Sequence, residues 1–131
     1  MFYRQKWNLD IEHIISHRYS NPALNEEDKI ENSIGNLMYL DRSLNRKLGK
    51  MTVGFNFVQD DYNNKIKNYS EKVTLQCVRA FLENYQKYNS PNDAIEKRRD
   101  DKVKFLKKLY DGYVQKVLSE SDDDNALLIN S

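Results

Sequence analysis

The first periodic stretch is residues 7–15, WNLDIEHII. Trp7, Leu9, Ile11, His13 and Ile15 fall on one face, and Asn8, Asp10 and Glu12 on the other. A period of two with β-branched residues predicts a strand. Residues 16–32 are polar, contain Pro22 and keep no period, which predicts a long loop. Loops of that length in compact domains are usually functional or mobile. Residues 33–40, SIGNLMYL, form a second short apolar run. Asp41 follows it, and its carboxylate can accept the free amide hydrogens of a first helical turn. Gly49 suits the left-handed residue that closes a helix. The predicted order is strand, loop, strand, then a short helix over 42–48.

The remainder reads as helical. Phe55, Val58, Tyr62, Ile66 and Tyr69 recur at spacings of three and four. Thr74, Val78, Leu82 and Tyr85 form a second stripe after Ser70, a candidate cap. Ser90-Pro91 reads as a cap followed by a proline at the first helical position. Ile95, Val103, Leu106, Tyr110, Tyr113 and Val117 run down a third helix, irregular near Arg98 and Arg99. The SDDDN segment after Ser119 predicts a frayed acidic end.

Composition narrows the class. At 131 residues the chain is one domain with a tail. Charged residues reach 31% and mean hydropathy is −0.87, polar for a globular domain. Nine Tyr, five Phe and one Trp still argue against disorder. No apolar run approaches the roughly 20 residues of a membrane span. The lone Cys77 excludes an internal disulfide and a cysteine-based zinc site, and fits a reducing, cytoplasmic setting. A net charge of +1 leaves nucleic-acid binding to local clustering of basic residues. No Gly-rich phosphate loop is present, which argues against nucleoside triphosphate binding by this chain.

The chemistry-bearing residues sit in three short runs: Ile11-Glu12-His13-Ile14, Gly35-Asn36-Leu37 and Leu44-Asn45-Arg46-Lys47. Singly, each has a bland reading: an incidental strand histidine, a backbone-binding asparagine, a solvated basic helix. Asn36 and Asn45 lie nine positions apart, which suits a strand residue and a helix residue facing one pocket. Together the runs resemble the HNH, or ββα-metal, nuclease motif. The closer likeness is to the C-terminal nuclease domain of GmrSD-type modification-dependent restriction endonucleases. It rests on IEHII, SIGNLMYL and SLNRKLG, with Asn64-Lys65-Ile66 and residues 94–98 similar to that family's tail.

The resemblance implies an α+β fold with a ββα-metal (HNH) core over 7–50. A helical extension over 51–118 completes a nuclease domain of 1–118, and 119–131 is an acidic flexible tail. It implies a metal-dependent endonuclease acting on DNA, in relatives as defence against phage. Hydrolysing a phosphodiester needs a base, a cation against developing charge, and donors for the phosphate. A neutral imidazole near pH 7 can take the proton, so His13 is the expected base. The family role of the Gly-Asn-Leu asparagine, orienting the histidine ring, falls on Asn36. The family's metal ligands fall on Glu12 and Asn45, oxygen donors suited to Mg²⁺ or Mn²⁺. DNA is the expected partner, and a nucleotide-dependent domain or subunit outside this chain is a further one. No membrane is expected.

The strand carries one geometric tension. Adjacent strand residues point to opposite faces, so Glu12 and His13 serve one site only where the strand ends, bulges or twists. Asp10, on the face of Glu12, is the alternative carboxylate. His17 reads as a solvated loop histidine or as a residue touching DNA. Arg42, Arg46, Lys47 and Lys50 are the expected DNA-binding residues; Arg42, Arg46 and Lys50, spaced by four, share a helix face. Lys65, Lys67, Arg98 and Arg99 are weaker candidates. The alternative function is a nucleic-acid-binding or assembly module that keeps the scaffold and does not cut. An RNase or toxin-like nuclease would share the same site.

Overall fold

The computed structural model describes residues 8–71 and 75–130, with side chains through Ser121. Trp7 and Thr74, expected on the first strand and the second helical stripe, lie outside the described residues. The chain is α+β. Two antiparallel strands, β1 (Leu9–His13) and β2 (Leu37–Asp41), are followed by α1 (Arg42–Thr52), α2 (Val58–Glu71), α3 (Gln76–Tyr85) and α4 (Pro91–Asn130). Leu9 stands opposite Asp41, and His13 opposite Leu37. The connection between the strands is built from 3₁₀ turns at His17–Tyr19, Glu26–Asp28, Ile30–Asn32 and Ile34–Asn36. Asn36 therefore ends the turn that feeds β2 and is not on the strand itself.

Local chemistry accounts for the helix starts. The Asp41 carboxylate accepts from the Leu44 amide at 3.3 Å, closing the first turn of α1 as its position predicts. Pro91 opens α4, where a missing amide hydrogen costs nothing. Gly49 departs from expectation. It lies inside α1, which runs on to Thr52, and no glycine among the described residues adopts a positive φ. The extra turn buries Thr52 and half-buries Met51, so packing carries the helix past the glycine.

The core joins Met38 and Leu40 of β2, Leu44 and Leu48 of α1, Tyr62 and Tyr69 of α2, and Val78 and Phe81 of α3. Ile14 and Ile15, just past β1, and Ile95 of α4 complete it. The Tyr69 and Phe81 rings meet edge to face at 6.3 Å between centroids.

Burial along β1 does not follow polarity. Ile11 on the apolar face is exposed, opposite an exposed Tyr39, while Glu12 is buried. Glu12 alone of the polar face is buried, where Lys65 and Tyr69 of α2 meet it.

Two compact units divide the chain, Met1–Arg99 and Asp100–Ser131. The first holds the whole core. The second is helical, and the α4 helix continues to Asn130, across the acidic segment expected to fray. Val103, Leu106, Tyr110, Tyr113 and Val117 in it are exposed.

Candidate active site

Asn36 is fully buried and staples the end of β1. Its backbone carbonyl accepts from Ile14 N at 3.0 Å, and its Oδ1 accepts from Ile15 N at 2.6 Å. Its Nδ2 donates to Ile15 O at 2.9 Å and to Glu31 O at 3.0 Å. Both amide hydrogens are thus committed to backbone carbonyls. Its side chain therefore holds the backbone directly after His13. Asn36 thus fixes the backbone of Ile14 and Ile15, the two residues after His13.

A buried cation holds the same strand end from the other side. Lys65 of α2, 3% exposed, donates from Nζ to His13 O at 2.6 Å and stands 3.6 Å from Glu12 Oε1. Tyr69, one helical turn further on, donates its hydroxyl to Glu12 Oε2 at 2.9 Å. Burial pushes the Glu12 carboxyl up, and the Lys65 charge and the Tyr69 hydroxyl partly oppose that. Burial, with the Glu12 charge beside it, raises the Tyr69 phenol well above its ordinary value. Neither partner was legible as part of a site. Lys65 read only as a weak candidate for DNA binding and Tyr69 as a core residue. The signal that existed was their spacing of four on one helix.

Asp10 is the carboxylate placed against Asn45. Its Oδ2 accepts from Asn45 Nδ2 at 3.1 Å, and its Oδ1 accepts from Arg42 Nε at 3.0 Å. The Asn45 hydrogen bond, assisted by Arg42, holds the Asp10 carboxyl below its ordinary range despite some desolvation. Arg42 is therefore committed to a carboxylate, whereas Arg46, Lys47 and Lys50 are exposed.

His13 and His17 bring their rings together, with centroids 4.4 Å apart and planes tilted by 53°. Burial holds His13 below its ordinary pKa, and the positive charges of His17 and Lys65 act in the same direction. An open cleft of about 320 Å³ gathers Glu12, His13, His17, Asn45, Arg46 and Lys65. Asn36, Arg42, Lys47 and Lys50 are outside its lining. Regular pairing runs to His13, and Ile11, Glu12 and His13 all border the cleft although their side chains alternate.

Among the described residues, no three His, Cys, Asp or Glu side chains gather as a metal-holding group. No helix among them is long and apolar enough to cross a membrane. Comparison with family models, curated proteins and solved structures finds no match to the chain.

Proposed function

We propose that this cleft hydrolyses phosphodiester bonds in DNA, as a metal-dependent endonuclease of HNH type. The observation that carries the reading is the convergence of two segments distant in sequence, Glu12-His13 and Asn45-Arg46, on one solvent-open cleft. His13 is the general base. Its depressed pKa keeps the imidazole neutral, with a ring nitrogen available for the proton of an attacking water. Asn36 and Lys65 fix the backbone that carries it. Arg46 offers a guanidinium to a phosphate oxygen.

A carboxylate and an amide form an oxygen donor set, which fits Mg²⁺ or Mn²⁺ that keeps most of its water ligands. Glu12 and Asn45 would hold it, with Asp10 fixing the Asn45 amide. When bound, the cation offsets charge developing on the phosphate. A role against phage or other foreign DNA belongs to the same proposal.

One observation favours a second reading, a module that binds without cutting. Both Glu12 oxygens already have protein partners, Tyr69 and Lys65. Supercoiled plasmid incubated with Mg²⁺, with Mn²⁺ and with excess EDTA separates the two. Nicked or linear product with metal and none in EDTA is expected. Full activity in EDTA would remove the metal. A gel shift without product under any condition would select the second reading.

The exposed basic residues of α1 should govern affinity more than turnover. Removing one phosphate-binding side chain lowers the slope of log K against log salt by about one unit. Arg46→Ala with Lys50→Ala should therefore lower it by about two units on the same counterion-release rule. Adding Arg42→Ala should change it little, because that guanidinium is held by Asp10 at 3.0 Å. DNA binding across a salt series, on protein also carrying His13→Ala, measures this. An unchanged slope would move the DNA surface off α1.

A further inference from the structure

His17 lines the cleft, and the reaction as proposed leaves it idle. It opens the 3₁₀ turn His17–Tyr19, whose position is fixed at both ends. The Ser16 hydroxyl before the turn accepts from Arg18 N at 3.3 Å. At the far end the Tyr19 hydroxyl donates to Phe55 O at 2.9 Å, and Arg18 Nε donates to the same oxygen at 3.4 Å. The turn is thereby tied to the segment that follows α1, and Thr52, the last residue of α1, also lines the cleft. Held there, the His17 ring lies against the His13 ring, with centroids 4.4 Å apart.

That spacing suits a reaction at phosphorus. An in-line displacement places the entering oxygen and the leaving oxygen on opposite sides of the phosphorus. Metal pairs that clamp both oxygens stand about 3.5–4 Å apart. The two rings, at 4.4 Å, span a similar distance. Imidazole nitrogens give and take protons in the ring plane, and planes tilted by 53° can address two different oxygens.

The surroundings assign the roles. His13 is half-buried, and the buried Lys65 ammonium sits on its carbonyl oxygen at 2.6 Å. Both features disfavour a further positive charge there. His17 is exposed, so water solvates its charged form. A carboxylate is also within range of that charge: hydrogen bonds from Lys29 and Asn32 hold the Glu26 carboxyl below its ordinary range, and His17 acts in the same direction. A proton shared by the pair therefore rests on His17 and leaves His13 free to accept one.

We propose that His17 donates the proton to the leaving oxygen, so that the two histidines act as an acid and base pair in the hydrolysis proposed above, on which this inference rests. The attacking water gives its proton to His13 while its oxygen forms the new bond to phosphorus. The bond from phosphorus to the bridging oxygen breaks. That oxygen keeps the bonding pair and takes the proton of the His17 imidazolium. His13 ends protonated and His17 neutral, and exchange with water through the open cleft restores both.

The test uses two DNA duplexes cut by the full chain with Mn²⁺. One is ordinary DNA. In the other, sulfur replaces the bridging oxygen that leaves, 3′ or 5′ as the product ends show. An alcohol holds its proton about as tightly as water, roughly 15.7, and its oxygen must be protonated as it departs. A thiol ionises at about 8.5, so the sulfur leaves as a thiolate unaided. His17→Ala should slow cleavage of the oxygen-linked duplex by about 10²–10⁴-fold and leave the sulfur-linked duplex near the wild-type rate. His13→Ala should slow both, because both need the water deprotonated. Equal losses on the two duplexes in His17→Ala would make the residue structural, and no loss on either would make it a bystander; each result overturns the proposal. Wild-type protein that cuts neither duplex would remove the nuclease reading itself, and this role with it.

Discussion

His13→Ala should lower plasmid cleavage by about 10²–10⁴-fold, the range a general base supplies. The fold should survive the change. His13 is only half-buried, and what Lys65 grips is its backbone carbonyl, which alanine retains. The pH profile gives the loss its meaning. Desolvation, His17 and Lys65 all hold the imidazole below its ordinary value of 6.5. The base is then neutral at pH 7, and the acid limb of the rate should have its midpoint below 6.5. In His13→Ala that limb should vanish from the residual rate. Stability follows the same sign. A histidine whose folded pKa is depressed contributes stability above the unfolded value, lost as pH falls through the folded one. Wild-type stability should therefore decline more steeply than that of His13→Ala as pH falls below 6.5. Equal cleavage by mutant and wild type would remove His13 as the base.

Gly35→Ala should be the most damaging of the glycine-to-alanine changes. A Cβ there would overlap the backbone carbonyl oxygen of Ile95 and lie 2.7 Å from Arg99 N. Both are helix backbone and cannot rotate away as a side-chain tip would. The start of α4 must move off the turn before β2, and that movement breaks more than packing. Arg98, 5% exposed, donates from Nη1 to Gly35 O at 2.8 Å and to Leu37 O at 2.7 Å. Its guanidinium also lies over the Phe81 ring, 5.9 Å from the centroid. Overpacking costs about 1–3 kcal/mol, and breaking a charged hydrogen bond in the interior about 1.5–3 kcal/mol. A total of about 2.5–6 kcal/mol should lower the melting midpoint by about 10 °C or more in a domain of roughly 100 residues. Gly112→Ala is the control. Nothing lies within 4 Å of a Cβ there, and alanine favours the helix. Its midpoint should hold or rise. A Gly35→Ala midpoint indistinguishable from wild type would show that α4 slides away without cost.

These two sites mark the divide between what was legible along the chain and what was not. The alternation of residues 9–13, the Asp41 cap and the Ser90-Pro91 start are statements about neighbours, and local sterics and hydrogen bonding enforce them with little outside help. The helical stripe of Val58, Tyr62, Ile66 and Tyr69 was likewise readable, because side chains three and four apart share a face. Gly49 shows the limit of that reasoning. Its intrinsic preference for a helix end yielded to the packing of Met51 against the core two residues later.

The candidate site was half legible. The spacing of Glu12-His13, Asn36 and Asn45 picked out residues that do gather near one cleft or, for Asn36, support it. Their partnerships were not readable. Alternation told that β1 has an apolar and a polar face, and not which of its residues is buried. Glu12 is inside because Lys65 and Tyr69 supply a cation and a hydroxyl across more than fifty residues of chain. No periodicity along β1 can report a partner on α2. For the same reason Asp10, not Glu12, is the carboxylate that meets Asn45, and Arg42 belongs to Asp10. The sequence by itself determined the elements, their order and the set of polar residues available for chemistry, since these follow from interactions within a few residues. Only the tertiary structure decided which face of β1 is buried, which carboxylate serves which partner and which cations remain exposed. Burial sets those choices, and burial is a property of the packed chain.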